Sequence, residues 1–543
     1  MSSGPGVLSA EAIARSDSDR GTPETERARP YAYYALAVLT LANLVNYVDR
    51  QIPSILAQSI KADLHLDDAQ LGFLLGTAFA VFYAIVGIAM GQIADALSRK
   101  WTMAIGLTVW SSMTALGGAA TSFVGLAAAR IGVGAGEATA NPCSNALLSE
   151  YFPRRNRAAV LSVYVAGTFI GSALALILGG QFLQHWPQVC RSVPFESACA
   201  LPSWKAALIA VGLPGLPIAL LVAGLREPAR PRHRPMPVGQ LLLIEAGAAF
   251  PPFTLLALYR AGGSRVVLRN LLLVAGLAVG AILLIRLTGD TAQWCAVAIG
   301  FYAIFTWGAL QRINDKPLHA LTFGCPTFVM AMLSSALIAC IGGAVNVWAA
   351  PYAMRSFDYP PAQIGIALGL TAATSAAIGV IGGGWITDRW KLRDARAPLW
   401  IAMISMFGAL PSEAVMLFAP TPRGFIIAYF VYGVFNAGWG GAFAALIQDL
   451  VLPRMRGTAS AVFTLVTIVV AAGAGPYWAG KVSALTGSLR GGLLSVQLLL
   501  PFATVLLLMA ASRLRKETPA GRRARAEAAG EPDAAAVTFG GPQ

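Results

Sequence analysis

Runs of about twenty apolar residues recur from residue 31 to residue 512. Each is long enough to cross ~30 Å of hydrocarbon, so lipid is the solvent for most of this chain. Only 12% of the 543 residues are charged and 56% are hydrophobic, with a mean hydropathy of +0.63. A water-soluble fold of this length cannot bury that much apolar surface, which excludes a soluble enzyme and a nucleic-acid binder.

The runs fall into two sets of six. The first lies near 31–57, 69–94, 101–122, 123–149, 157–182 and 204–225, and the second near 323–350, 361–387, 398–419, 424–450, 458–480 and 491–512. Two further runs, 268–288 and 291–311, meet at Gly289 and Asp290 and read as a transmembrane hairpin. Glu245 and Pro251-Pro252 interrupt the run 238–258, which reads as an interfacial linker helix. The expected fold is all-α and polytopic, with about 14 transmembrane helices in two pseudo-symmetric six-helix bundles.

The expected organisation is a disordered tail over 1–30, a bundle over 31–226, a linker over 227–322 carrying the hairpin (268–311), a second bundle over 323–515, and a disordered tail over 516–543. With both tails and the even-numbered connections inside, the inner side collects 30 Lys and Arg against 8 outside. That bias satisfies the positive-inside rule, predicts cytoplasmic termini in a cell inner membrane, and explains the net charge of +14 without a nucleic-acid partner. The six cysteines and four histidines show no metal-ligand spacing, and no G-x-x-x-x-G-K-[ST] segment occurs, so neither metal nor cofactor is expected. Cys190 and Cys199 share one external connection, where a disulfide is chemically permitted.

The two sets echo one another. Gly91-Gln-Ile-Ala-Asp95, followed by Arg99 and Lys100, closes the second run; Gly384-Trp-Ile-Thr-Asp388, followed by Arg389 and Lys391, closes its counterpart. Glu150-Tyr-Phe-Pro with its Arg cluster is matched by Asp449-Leu-Val-Leu-Pro453-Arg454-Met-Arg456. Two similar halves can rock about a site between them, which is transporter architecture. The chain resembles the major facilitator superfamily over about 31–226 and 323–515. Within it, Asn46-Tyr47-Val48-Asp49-Arg50, Gly134-Ala-Gly-Glu137-Ala with Pro142, and Glu150-Tyr-Phe-Pro resemble the Spinster-like group. The inserted hairpin departs from the twelve-helix pattern of that group and is similar to the pair in proton-coupled peptide transporters.

Asp49, Arg50, Arg130 and Glu137 fall inside predicted spans, where each costs roughly 3 kcal/mol to insert and so demands a partner or a wet cavity. Asn46, Asp49 and Arg50 share one helix face; Arg130 and Glu137, two turns apart, share another. The alternatives are static salt bridges between helices, or a proton site coupled to motion. The resemblance implies the second, with Asp49 and Glu137 as protonation sites and Arg50 and Arg130, beside Asn46 and Tyr47, gating or holding anionic groups. The later half offers Asn346, Trp348, Tyr352, Tyr432, Asn436, Trp439, Tyr477 and Trp478, either as packing or as the lining of an apolar site for an amphipathic ligand. Gly91, Asp95, Arg99 and Lys100, with Asp388 and Arg389, are expected at a cytoplasmic gate.

The reading is a monomeric secondary transporter of a small amphipathic, lipid-like or anionic solute, coupled to protons and working by alternating access. The resemblance implies lysophospholipid or sphingolipid-type cargo. The alternatives are an organic-anion or drug transporter, an intramembrane lipid-modifying enzyme, and a sensor without turnover.

Overall fold

A computed structural model describes residues 30–153, 156–192, 199–228 and 253–531, and these are helical throughout, with no strand among them. The first bundle contains α1 (Pro30–Leu64) and α2, which runs from Asp68–Gly72 through a π turn (Phe73–Thr77) into Ala78–Ala96. It continues with α3 (Arg99–Gly117), α4 (Phe123–Glu137, then Ala140–Tyr151), α5 (Arg157–Val189) and α6 (Ser203–Gly212, then Gly215–Ala223). The hairpin is α7 (Phe253–Thr288) and α8 (Thr291–Asn314). The second bundle contains α9 (Pro326–Ser356), α10 (Pro361–Lys391), α11 (Ala397–Leu417) and α12 (Pro422–Ala437, then Trp439–Asp449). It ends with α13 (Arg456–Thr486) and α14 (Leu489–Val496 through a 3₁₀ turn into Leu500–Leu514).

Twelve of these are long and apolar enough to cross a membrane. Helices α3 and α4 are the two outside that set; they lie within the first bundle, with Trp110 of α3 and Val133 of α4 buried in one apolar core. The crossings alternate, so both ends of the described chain share one face, here the terminal face. The opposite face carries the Cys190–Cys199 disulfide and is called the disulfide face.

Two seams close the halves together toward the disulfide face. At one, α2 meets α13 so tightly that a Cβ on Gly72 would lie 2.5 Å from the Pro476 carbonyl oxygen. At the other, α5 meets α10, and a Cβ on Gly365 would lie 2.3 Å from the Leu176 carbonyl oxygen. Small residues at such crossings let backbones touch, which drives helix association where lipid supplies no hydrophobic effect.

The hairpin begins at Phe253 rather than 268. Gly263, at φ 71°, breaks α7 after its first turns, so residues 253–258 of the expected linker helix form the start of α7; residues 229–252 lie outside the described residues. Most of α7 faces outward, while α8 packs across the α2–α13 seam. There Gln293, 2% exposed, donates from Nε2 to the Gly473 carbonyl of α13 at 2.7 Å. It also accepts from Thr77 Oγ1 of α2 at 2.6 Å. Asp290 in the hairpin turn pairs with Lys481 at 2.7 Å and accepts from Tyr477 at 2.8 Å, both on α13. The insert therefore spans both halves.

The tail expected to be disordered from 516 instead carries α15 (Pro519–Ala528), N-capped by Thr518. Arg454 of the second bundle holds it: Nε donates to Glu531 at 2.8 Å and Nη1 to Asp315 at 3.0 Å. Sequence polarity alone hides this, because the order comes from ion pairs made to distant segments. The tails 1–29 and 532–543 lie outside the described residues.

Candidate functional site

Helices α1, α2 and α4 bring the four intramembrane charges of the first half together. Asp49 is fully buried and within electrostatic reach of Glu137 and Arg130; Glu137, 1% exposed, is within reach of Arg50 and Arg130. Neither carboxylate makes a hydrogen bond, and among the described residues none of the four charges forms an ion pair at contact distance. The Asn46 amide approaches Glu137 without completing a bond. Static salt bridging is therefore not what holds these helices.

The cations rest on rings and carbonyls. Arg50 lies over Phe79 at 4.5 Å, over Tyr83 at 5.6 Å and over Tyr47 at 5.7 Å, an aromatic cradle that stabilises a guanidinium out of water. Arg130 lies 5.4 Å from the same Phe79 ring, and its Nε donates to the Leu74 carbonyl at 3.3 Å. Tyr83 accepts from Asn141, which accepts from Tyr164, both bonds at 3.2 Å. Phe79, Tyr83, Asn141 and Tyr164 escape a sequence reading, since lone aromatics and an Asn in apolar runs carry no spacing signal.

Asp49 and Arg130 line a small cavity among α1, α2, α3, α4 and α6. It lies inside the first bundle, not in the opening between the halves, so the two charged faces meet within one domain. Arg50 and Tyr47, only half buried, are the members of the cluster that reach its edge.

The second-half candidates separate. Asn346 is exposed in mid-α9, and its carbonyl accepts from Gln51 of α1. Trp348 is fully buried, donating to the Pro476 carbonyl at 2.8 Å; Tyr352 is buried against Phe425 and donates to the Leu417 carbonyl. Both are packed at the closed end rather than in an open site. Tyr432, Asn436 and Trp439 line a second small cavity with α9, α11 and α14. Tyr477 is taken by the hairpin, and Trp478 donates to Ser495.

A polar cluster joins the two bundles toward the disulfide face. Asp68 of α2 accepts from Arg355 of α9 at 2.7 and 2.6 Å, from Lys61 at 2.6 Å and from Ser483 of α13 at 2.6 Å. Arg355 also donates to Gln58 and sits over Trp348. Among the described pairs, every hydrogen bond and ion pair between the two bundles lies at mid-membrane or toward this face. The halves are thus locked at the disulfide face.

At the terminal face the expected gate motif works within each half. Arg99 pairs with Glu150, and its backbone amide donates to Glu227 at 2.7 Å; Lys100 lies over Trp101. The side-chain positions of Gly91 and Asp95 lie outside the described residues. In the later copy Asp388 and Arg389 are exposed, Arg389 stacking on Trp385 at 4.0 Å, while the neighbouring Lys391 takes the ion pair, with Asp449.

A duplicated bundle with intramembrane charges, locked at one face, is the arrangement that comparison with known proteins can test. The sequence profile of the Major Facilitator Superfamily matches residues 39–476. The chain belongs to that superfamily. An MFS-type efflux pump of Mycolicibacterium smegmatis is 27% identical to this facilitator over 498 residues, 90% of this chain and 94% of that one. Protein spinster homolog 1 of Xenopus tropicalis is 23% identical over 482 residues, 82% of this chain and 72% of that one. In structure, this facilitator is similar to a bacterial homolog of the human lysosomal transporter Spinster, in an inward-facing and unoccupied conformation. The TM-score is 0.68 and the identity 22%, over 90% of this chain and 99% of that one. The facilitator is a multi-pass membrane transporter with Spinster proteins among its relatives.

Proposed function

We propose that this transporter couples movement of an anionic or amphipathic solute to protons, with Asp49 and Glu137 as the proton-carrying pair. The observation that carries the reading is two buried carboxylates, mutually close, beside two guanidiniums, with no hydrogen bond completed on either. Burial favours a neutral carboxyl and a nearby guanidinium favours a charged one, so small helix movements decide which form holds. The terminal face is cytoplasmic by its excess of Lys and Arg, which makes the described state inward-facing in a cell inner membrane. Alternating access then consists of breaking the Asp68–Arg355 lock while the terminal face closes.

Arg50, half buried among Tyr47, Phe79 and Tyr83, is the cation placed to receive an anionic head group, and Asn346 is exposed across from it. An anionic amphipath of the lysolipid type suits one cation edged by rings. The names of the efflux pump and of the Spinster proteins support export or lipid-like cargo, and the transporter works as a monomer without covalent chemistry. A thermal-shift panel including lysolipids and organic anions, followed by proteoliposome flux with and without a pH gradient, tests this. Flux indifferent to the gradient, or a covalently altered lipid after incubation, would overturn the coupled-transport reading.

A further inference from the structure

We propose that Glu413 is a second proton-binding site, in the second bundle, separate from Asp49 and Glu137. It sits in α11, 1% exposed, with no cationic partner at ion-pair distance among the described residues. Oε2 accepts from the Gln497 amide of α14, while Oε1 has no hydrogen-bond partner. The Tyr432 hydroxyl of α12, also 1% exposed and also without a partner, is within electrostatic reach of this carboxyl. Tyr432 and Gln497 line the small second-bundle cavity, together with Asn436, Ser405 and Trp439.

The groups facing Glu413 leave it uncompensated. Helix α12 brings Tyr432, with Tyr429 stacked on it. Helix α14 brings Gln497; of its two cations, Arg513 lies in the last turn at the terminal end, and Arg490 near the disulfide face is spent over Phe418 at 4.8 Å and on the Tyr352 hydroxyl at 3.3 Å. Helix α9 brings Ile338 and Ile341, with Tyr352 bonded one turn further out to Leu417. Helix α10 carries its charges, Asp388, Arg389 and Lys391, at the terminal end.

A lone anion among these groups, with one amide donor, is strongly disfavoured in a membrane interior. Taking a proton from hydronium forms an O–H bond at Oε1 and releases water, and the carboxyl is then neutral. A residue serving only to pack α11 against α14 needs no free carboxylate oxygen.

Infrared difference spectroscopy of the full chain in lipid nanodiscs, titrated with pH, tests this. In the D49N/E137Q background, which removes the first-half acids whatever their role, a protonated-carboxyl carbonyl band should remain and should titrate. That band should vanish in D49N/E137Q/E413Q, reappear at a shifted frequency with Glu413→Asp, and move its midpoint with Tyr432→Phe. Identical spectra for the double and triple variants across the pH range would overturn the proposal. So would a midpoint displaced by sodium at constant pH, which makes the site one for a metal cation.

Discussion

Helices α4 and α12 share one local design and divide its chemistry. Ser122 caps α4 on the Gly125 amide and Thr421 caps α12 on the Gly424 amide, 299 residues later in both positions. Both helices break near their middles, α4 between Glu137 and Ala140 and α12 at Gly438. At that offset Arg130 corresponds to Tyr429, Glu137 to Asn436 and Glu150 to Asp449. The terminal-face acid persists in both copies, pairing with Arg99 in one and Lys391 in the other. The intramembrane charges do not persist. Duplication thus preserves what positions a helix, and lets the buried chemistry diverge, because caps and breaks set backbone geometry while mid-helix side chains answer only to their local cavity.

The sharpest way to break this comparison is to neutralise the first half. Asp49→Asn and Glu137→Gln should each lower pH-gradient-driven flux by about tenfold or more, a loss of at least ~1.4 kcal/mol, while Asn436→Asp should not restore it. Retained coupling in both single variants, measured in proteoliposomes, would place the proton step elsewhere. The next effect concerns the lock rather than the acids. Arg355→Ala leaves buried Asp68 with Lys61 and Ser483 alone; with Arg355 itself about a quarter exposed, a cost on the order of 1–3 kcal/mol is expected. Cysteines placed on the disulfide-face seam should become more reactive to impermeant thiol reagents, and unchanged reactivity would show that the seam is held by helix packing instead.

A smaller change is expected in the hairpin. Gln293→Leu removes the amide's bonds to Thr77 and Gly473 and leaves only the direct Thr77–Gly473 bond, a loss of about 0.6–1.7 kcal/mol for a hydrogen bond between membrane helices. It should shift spin-label distances between α2 and α13 toward wider separations; identical distributions would mean that α8 merely lines the seam. Smallest of all is the tail. Burial pushes the Asp315 carboxyl up, but the hydrogen bonds from Arg454 and the Leu318 amide outweigh it and hold the group below the ordinary carboxylate range. Its pairing stabilises the latch at pH above that ordinary range and loses this contribution as pH falls through the lowered value. Hydrogen exchange of α15 should therefore accelerate only under strongly acidic conditions, and Asp315→Asn should accelerate it at neutral pH.

Much of the fold was legible because lipid imposes a simple rule. A helix must cross ~30 Å with few charges, so span positions, the duplication and the four first-half charges all stand out in one dimension. Glu413 did not stand out: a single acid in an apolar run, without an echo in the other half, carries no spacing pattern. Trp348 and Tyr352 were candidates for a ligand site, yet they lie at the locked end, since aromatic character is compatible with packing and binding alike. The hairpin's extent was underread because the break at Gly263 and the Arg residues of early α7 look like a connection in sequence.

By itself, the sequence determined the solvent, the number and order of the spans to within the uncertain linker, the duplicated halves, and the presence of ionisable groups that a bilayer tolerates only for a reason. Those properties are sums along the chain, set by local apolarity and spacing. Tertiary structure alone decided that Asp49 and Glu137 lie together without ion pairing, that α8 ties the two halves, that the disulfide face is the locked one, and that Glu413 is buried with one oxygen unpartnered. Each of these depends on which faces of distant helices meet, and in lipid that is settled by close backbone packing and buried polar contacts, which leave no periodic trace in the chain.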